Sequence, residues 1–215
     1  MRHLHWFQAD LRLADNPALL SSCGAESLLC VYLLPKARPW CNLTGIGPQR
    51  DRFLRESLQT LRISLQSLGQ DLMVLEGSPE LVIPQIVERF AIDTVSTSQT
   101  PGWYESQAIH FLEEKLSTPF CVHRGNTLFT PDQFPFDWGD FPDTFSPFRR
   151  KTEKLSIPSP LPSPDTLPPP PAAQFDAIPK ATAPPHPGLP LPGGRAAGLR
   201  RLDQFLFHEE GIVDY

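Results

Sequence analysis

The sequence predicts a doubly wound α/β domain with a five-stranded parallel sheet, followed by a proline-rich linker and one terminal helix. Three observations support this fold class. Short apolar runs alternate with segments of helical periodicity up to residue 124, and such alternation is typical of parallel sheets with helical crossovers. Capping residues and prolines mark the starts of the helices. The pattern then stops, and 14 of the 26 prolines lie in residues 157–194.

A polar loop separates the first strand from the first helix. Residues 3–8 form a mostly apolar run, and Asn16 and Pro17 then provide an N-cap and a proline in the first helical turn. The helix is expected to extend to about residue 22. Because ligands of open parallel sheets bind beyond the carboxyl ends of the strands, the loop at residues 8–16 is a candidate site.

The chemistry of this loop is ionic. It lacks the glycines of a dinucleotide-binding or phosphate-binding loop, so its sequence does not indicate close approach of the backbone to a phosphate. Asp10, Arg12 and Asp15 can pair with one another or with a second domain. A solvated loop with surface ion pairs worth about 0 to 1 kcal/mol is an equally good interpretation of the residues alone. Residues 35–47 are expected to form an irregular loop at the same edge and one wall of a site.

Four further strands complete the predicted sheet, at residues 27–34, 71–76, 93–98 and 119–124. The first of these is continuously apolar, which is typical of a strand buried on both faces. Helices are expected to begin at Pro48, Pro79 and Trp103. The helix from Pro48 is the clearest, because its leucines repeat at helical spacing up to Leu68 and Gly69 follows.

Residues 126–154 are rich in aromatic side chains and prolines but have no helical or strand period. The aromatic residues are Phe129, Phe134, Phe136, Trp138, Phe141, Phe145 and Phe148. Such a segment has to pack against its own domain or a neighbour to cover this apolar area. Its acids, Asp132, Asp137, Asp140 and Asp143, lack the spacing of a calcium-binding loop, and no metal site is predicted.

We divide the chain into an α/β domain at residues 1–155, a linker at residues 156–194 and a terminal segment with one helix at residues 195–215. The prolines predict an extended, polyproline-like linker that imposes no position on the helix after it. The terminal helix has an apolar face, formed by Leu199, Leu202, Phe205 and Leu206. Because ordering this helix costs more free energy than burying that face returns, we expect it to be poorly ordered or loosely docked until a helical partner covers it.

The composition excludes several classes of protein. The net charge of -5 argues against a chain that neutralises many phosphates by itself. The four cysteines have no metal-binding spacing and are typical of a reducing compartment. No apolar run approaches the roughly 20 residues that span a bilayer, and the amino terminus does not resemble a signal sequence. We therefore expect no membrane partner and a cytoplasmic or other soluble intracellular location.

Several motifs resemble those of the photolyase and cryptochrome family. Residues 6–19, Trp-Phe-Gln-Ala-Asp-Leu-Arg-Leu-Ala-Asp-Asn-Pro-Ala-Leu, are similar to the family's amino-terminal signature, with Gln8 in place of an arginine. Residues 141–150, Phe-Pro-Asp-Thr-Phe-Ser-Pro-Phe-Arg-Arg, resemble the DASH branch of cryptochromes. Residues 193–202 resemble the opening of the family's helical domain, which binds FAD. The resemblance implies a Rossmann-like domain of the photolyase amino-terminal type.

The same resemblance implies a cofactor site. The family's α/β domain holds a light-harvesting antenna chromophore, here methenyltetrahydrofolate or a flavin or deazaflavin, next to the helical domain. Phe7, Asp10 and Arg50 match family positions at that edge. Gln99 stands where many DASH proteins have glutamate, and Glu105 lies one residue beyond another expected acid. The resemblance implies FAD only if the helical domain is supplied, in cis or in trans, and DNA only in that full-length context.

Three functions from different classes remain. The first is the antenna-domain portion of a DASH-type cryptochrome or DNA photolyase, which we expect to be inactive as it stands and to have no catalytic residues of its own. The second is a stand-alone α/β module that binds a flat heterocycle or nucleotide at the carboxyl edge. The third is an interaction protein whose terminal helix docks on a separate helical partner. A bound flavin or folate would absorb in the near ultraviolet to blue, so an absorption spectrum separates the first two functions from the third.

Overall fold

The computed structural model describes residues 1–35, 39–40, 43–188, 191–209 and 213. The strands in this part of the chain are β1 (Arg2–Phe7), β2 (Ser27–Leu34), β3 (Pro39–Trp40), β4 (Leu43–Thr44), β5 (Leu72–Glu76), β6 (Thr94–Ser98) and β7 (Phe120–His123). The α-helices are α1 (Pro17–Leu20), α2 (Pro48–Gln66), α3 (Pro79–Phe90), α4 (Trp103–Lys115), α5 (Phe145–Thr152) and α6 (Arg195–Asp203).

The five-stranded sheet is parallel throughout, as predicted. Its order is β5-β2-β1-β6-β7, so the chain first builds outward from β1 through β2 and β5 and then returns to the other side of β1. Leu4 of β1 pairs with Leu29 of β2 and with Val95 of β6. The winding direction reverses between β1 and β6, and ligands of open α/β sheets bind at such a switch point, beyond the carboxyl ends of the strands.

Separate core clusters cover the two faces of the sheet. Leu29 and Val31 of β2 pack with α3 and α4, whereas Leu28 and Cys30 pack with α1 and α2. Successive side chains of a strand point to opposite faces, so this alternation confirms that the apolar run of β2 is buried on both sides. Burial also raises the pKa of the Cys30 thiol.

The predicted helix starts are present, and the first helix ends early. The Asn16 side chain caps α1 by accepting a hydrogen bond from the Leu19 N–H at 3.0 Å. The helix ends at Leu20, two residues before the expected end. The hydroxyls of Ser21 and Ser22 donate to carbonyls of its last turn, at 2.8 and 2.6 Å, and such local bonds compete with helix extension.

The loop at residues 35–47 contains a short antiparallel pair, β3 with β4, outside the main sheet. The prediction of a wholly irregular loop is therefore wrong for these four residues, since strands of two residues are too short to show an alternating pattern. Residues 36–38 and 41–42 lie outside the described residues. The role of this loop as a wall of the site stays a prediction.

The proline-rich linker lies against the domain. We call residues 161–194 the strap; residues 189–190 of it lie outside the described part. Leu167 and Ile178 are buried in the cluster that includes α2. Strap carbonyls accept hydrogen bonds from the Leu28 N–H at 3.0 Å and from the Gln70 side chain at 2.7 Å. Directly before the terminal helix, the Gly193 and Gly194 N–H groups donate to side chains of α2 at 2.7 and 3.0 Å. The expectation that this linker imposes no position on the following helix is therefore wrong.

The aromatic segment, residues 129–148, forms a cluster of its own, separate from the two core clusters of the sheet. Phe134 contacts several neighbouring rings, and Trp138 stacks on Phe141 with centroids 5.4 Å apart. Trp138 and Phe145 nevertheless remain 66% and 72% exposed. The segment therefore covers only part of its apolar surface by packing on itself.

The terminal helix is present as α6 and continues as a π-helical turn at Gln204–His208. Leu199 and Leu202 of its apolar face are about half exposed. The expectation that this helix is loosely ordered without a partner stays a prediction. Within the described residues, no helix has the length and apolar character that crossing a membrane requires.

Candidate functional site

The switch-point crevice contains a polar network centred on Asp10, in the loop after β1. The Asp10 carboxylate is 1% exposed. It accepts hydrogen bonds from the Gln8 N–H at 2.9 Å, the Ser98 hydroxyl at 2.6 Å and the Asn16 side-chain amide at 3.2 Å. A buried carboxylate requires such donors, because burying an unpaired charge is costly. Asp10 therefore ties β1, β6 and the start of α1 together.

The Gln8 side chain bridges the same two strands. Its Nε2 donates to the Thr97 hydroxyl oxygen at 2.9 Å and to the Ser98 carbonyl at 3.1 Å. The preceding residue, Phe7, is completely buried, with its ring edge-to-face against His5 at 4.3 Å. Glutamine supplies both N–H donors without a charge, so this bridge needs no counter-ion.

Tyr32 and Arg50 lie on one side of the network, at the end of β2 and the start of α2. Burial raises the pKa of the Tyr32 hydroxyl to about 12; the Arg50 guanidinium opposes this shift and Asp10 adds to it. The phenol is therefore a neutral hydrogen-bonding group near pH 7. Arg50 itself is exposed in the first turn of α2, so this side of the crevice presents a cation to solvent.

Gln99 and Glu105 lie on the other side of the network, after β6. The Gln99 N–H donates to the His123 carbonyl at 2.7 Å and the Gln99 carbonyl accepts from the Asn126 side chain at 2.6 Å, while its side chain is exposed. Glu105 lies in the first turn of α4, with its carboxylate over Gly102, where a Cβ would overlap it. The dipole of α4 favours a negative charge at this end of the helix.

The five residues predicted for the site therefore fall into two groups. Phe7 and Asp10 are internal, at 0% and 1% exposure. Arg50, Gln99 and Glu105 are exposed, on elements that follow the strands on either side of β1. The topology brings both groups to the carboxyl edge, but only the second group offers side chains to a ligand.

Tyr32, Thr97 and Ser98 belong to this site although the sequence predictions did not include them. Tyr32 is the single tyrosine in the apolar run of β2, at its carboxyl end. Thr97 and Ser98 end a strand in which Val95 is the one strongly apolar residue. Hydroxyls in a buried strand need hydrogen-bond partners, and that requirement was the signal available in the sequence.

A second polar cluster lies inside the sheet around Ser96. Its hydroxyl donates to a carbonyl of α1 at 3.0 Å, so its oxygen accepts from His3 Nε2 at 2.9 Å and from His5 Nδ1 at 3.1 Å. The other ring nitrogens, His3 Nδ1 and His5 Nε2, are buried without a hydrogen-bond partner in the described structure.

Both of these histidines are neutral near pH 7. Burial, reinforced by His123, lowers the pKa of His3 to about 4. Burial likewise lowers the pKa of His5 to about 4, with Asp10 opposing the shift and the two neighbouring histidines adding to it. Within the described residues, no group of three or more histidine, cysteine, aspartate or glutamate side chains is placed to bind a metal ion.

An open parallel sheet with helices on both faces and a switch point beside β1 defines the class of doubly wound α/β domains. Within this class, the family model for DNA photolyase matches residues 3–170. That match covers more than half of the chain and includes the five strands of the sheet except for Arg2, the first residue of β1. The chain belongs to the DNA photolyase family.

Individual relatives agree with this assignment. Cryptochrome DASH of Natronomonas pharaonis is 30% identical over 226 residues, which cover 98% of this chain and 48% of that protein. Cryptochrome DASH of Synechocystis is 33% identical over 233 residues, which cover 99% of this chain and 47% of that protein. The chain thus spans about half the length of the curated relatives that it matches.

Solved structures have the same fold. A Synechocystis cryptochrome superposes with a TM-score of 0.82 and 31% identity, over 100% of this chain and 48% of that one. A photolyase from Sulfolobus tokodaii, solved with two FAD molecules, has a TM-score of 0.60 and 21% identity, over 77% of this chain and 38% of that one. This chain corresponds to the amino-terminal, antenna-domain portion of the family.

Proposed function

We propose that this chain is a light-harvesting module that binds a flat antenna chromophore at the carboxyl edge of its sheet. One observation carries the proposal: in a chain of this family, exposed Arg50 lies on one side of the switch point, and exposed Gln99 and Glu105 lie on the other. The candidate chromophores are methenyltetrahydrofolate and a flavin or deazaflavin.

The exposed groups suit both classes of chromophore. Arg50 complements an anion, which a folate carries on its glutamate tail and a flavin nucleotide on its phosphate. Gln99 can donate and accept hydrogen bonds at the polar edge of a fused ring, and Glu105 can accept them from a ring N–H. Trp103, exposed at the start of α4, offers a surface for stacking. The bound chromophore would supply the absorption of light, and these residues would orient it.

The proposed partner is a helical FAD-binding domain, supplied in cis or in trans. The relatives are about twice as long as this chain, and Trp138, Phe145 and the face of α6 expose apolar area that a partner can cover. Flavin chemistry requires a cofactor held in an oriented, dry pocket. We therefore expect the 215-residue chain alone to bind no stoichiometric FAD and to repair no DNA. Light-dependent repair of a thymine dimer by the purified chain would contradict this part of the proposal.

Titration with two probes tests the chromophore site. The purified chain is titrated with methenyltetrahydrofolate and with FMN while absorption and fluorescence are recorded. One probe is expected to bind, and Arg50→Ala is expected to weaken that binding at least tenfold because the chromophore's anion loses its counter-charge. Arg89→Ala is the matched control, since Arg89 is an exposed arginine in the last turn of α3, at the opposite edge of the sheet. Failure of both probes to bind, or an equal effect of the two variants, would contradict the proposal.

A further inference from the structure

We propose that Gly193 and Gly194 clamp the first turn of α6 onto α2, so that the strap is a rigid mount for the helical domain and not a flexible tether. This inference rests on the proposed function in one respect only, namely that the domain carried by α6 is a helical FAD-binding domain. The clamp itself is a contact between described residues of this chain.

Gly193 lies so close to α2 that it has no room for a side chain. A Cβ at this position would lie 2.7 Å from the Ser57 nitrogen and 2.8 Å from the Glu56 Cβ, and it would overlap the Phe53 carbonyl oxygen. Two of these three atoms belong to the backbone of a 19-residue helix. The helix cannot yield by a change of rotamer, so glycine is required here.

Gly194 adds a conformational requirement. Its φ of 98° lies in a region that side chains rarely adopt, and a Cβ there would lie 2.5 Å from the Thr60 hydroxyl oxygen. Gly194 is also the N-cap residue of α6, and its carbonyl accepts the Gly198 N–H at 3.1 Å. The direction of α6 is therefore set at the point where Gly193 and Gly194 contact α2.

Two hydrogen bonds from backbone N–H groups to side chains of α2 hold the clamp closed. The Gly193 N–H donates to Glu56 Oε2 at 2.7 Å, and the Gly194 N–H donates to the Ser57 hydroxyl oxygen at 3.0 Å. Arg52, which is largely buried, pairs with Glu56 at 2.9 Å and donates to a strap carbonyl at 3.0 Å. Arg52 thus holds the Glu56 carboxylate, which accepts from the Gly193 N–H, and at the same time binds the strap through its carbonyl.

The clamp connects α6 to the core of the sheet domain. Leu58, Leu61 and Leu65 of α2 are buried against the sheet, so α2 cannot move independently of it. The clamped first turn therefore makes α6 leave the domain in a fixed direction. A helical domain that continues from α6 would inherit this direction from Gly193 and Gly194.

Amide hydrogen exchange of the full 215-residue chain, resolved by residue with NMR, tests the clamp. In the wild type, the Gly193 and Gly194 amides are expected to be protected at least tenfold relative to an unstructured peptide. Gly193→Ala is expected to abolish this protection and to speed exchange in the first turn of α6 at least tenfold. Gly198→Ala is the matched control, since a Cβ there has no atom within 4 Å. It is expected to leave exchange unchanged or slower, because alanine favours the helix.

Ser57→Ala provides a second variant that adds no bulk. It removes the acceptor of the Gly194 N–H and is expected to speed exchange of that amide at least threefold, while the amides of β2 remain as protected as in the wild type. If β2 loses protection in Gly193→Ala, that variant has disrupted the whole sheet domain, and Ser57→Ala then decides whether the clamp exists. Unprotected glycine amides in the wild type, or wild-type protection in either clamp variant, would overturn the proposal. None of these readouts involves a chromophore or FAD, so failure of the clamp and failure of the proposed function are distinguishable.

Discussion

The strap and the aromatic segment are both rich in proline and both lack periodicity, but they pack in different ways. The strap buries Leu167 and Ile178 in a core cluster of the sheet, and its carbonyls accept hydrogen bonds from the domain. The aromatic segment packs ring against ring and leaves Trp138 and Phe145 exposed. The strap therefore contributes side chains to the core of the domain, whereas the aromatic segment lies on the surface.

Hydrogen-bonding capacity explains how the strap is fixed. Proline has no N–H, so a polyproline strand offers carbonyl acceptors and few donors. The domain has to supply the donors for these carbonyls. Arg62 donates to two of them, at 2.6 and 3.1 Å, and also pairs with Asp71 at 2.6 Å. Although burial opposes the shift, the hydrogen bonds from Arg62 hold the pKa of Asp71 below its usual value. An irregular segment is thus ordered where donor side chains face its carbonyls.

Acid is expected to destabilise the sheet and its strap by the largest amount. His3 and His5 have pKa values of about 4 in the folded protein, below the ordinary histidine value of 6.5 that applies in the unfolded chain. As the pH falls, protons therefore bind the unfolded chain first. The free energy of unfolding is therefore highest above pH 6.5 and falls as the pH drops toward 4, by up to about 3 kcal/mol for each histidine. Urea unfolding at pH 7.5 and 5.0 measures the loss. His5→Gln should reduce this loss of unfolding free energy. His110→Gln, at an exposed position on α4, should leave the loss unchanged. Equal stability of the wild type at the two pH values would show that the buried histidines do not destabilise the protein in acid.

Removal of a strap side chain is expected to destabilise the domain by about 3 kcal/mol, the usual effect of truncating a buried aliphatic residue. The variant is Ile178→Ala, because Ile178 is 8% exposed. Leu161→Ala, at a 41% exposed position of the same strap, is expected to change stability by less than about 1 kcal/mol. Urea denaturation compares the two. If both variants were equally mild, the strap would not be part of the core.

Loss of a strap anchor should have a smaller effect. Arg62→Met leaves Asp71 without its ion-pair partner and two strap carbonyls without the donor that Arg62 supplies, so we expect a loss of about 2 kcal/mol. Arg149→Met is the matched variant in α5, since Arg149 pairs with Glu153 at 3.5 Å with both side chains largely exposed. We expect it to cost less than about 0.5 kcal/mol. Thermal or urea unfolding would contradict this contrast if the Arg149 variant were the less stable of the two.

The smallest effect is expected in the aromatic segment itself. Phe145→Ala removes a ring that is 72% exposed and should change the free energy of unfolding by less than about 0.5 kcal/mol. The same variant should lower light scattering at high protein concentration, because it removes exposed apolar area. A loss of stability comparable to that of Ile178→Ala would show that this segment is packed as firmly as the strap.

The sequence predicted the regular part of the fold, because each element has a local signal. The continuous apolar run of β2 predicts a strand buried on both faces, and the spacing of the leucines in α2 predicts a helix. Asn16 followed by Pro17 predicts the start of α1. The strap contacts have no such signal, since Arg62 and its strap acceptors are more than 110 residues apart. The prolines predict a segment without helix or strand periodicity, but they do not predict which side chains donate hydrogen bonds to its carbonyls.

The role of Phe7, Asp10, Arg50, Gln99 and Glu105 as site residues, which the family resemblance implies, stays a prediction. Their exposure could be predicted only in part, because it depends on which donors reach each side chain. Asp10 is internal because Ser98 and Asn16 donate to it. The distance in sequence between Asp10 and Ser98 hides that contact, whereas the exposure of Arg50 in a first helical turn is a local property.

Limited digestion with chymotrypsin, followed by mass spectrometry of the fragments, tests the contrast between the two segments most directly. The native chain is expected to be cut first after Trp138 and Phe145, which are exposed in the aromatic segment. Cleavage after Phe175 should be at least tenfold slower, because its ring packs against the core of the sheet and its carbonyl accepts a hydrogen bond from Arg62 at 3.1 Å. Cleavage after Phe175 as fast as after Trp138 would show that the strap is detached from the domain and would contradict the account.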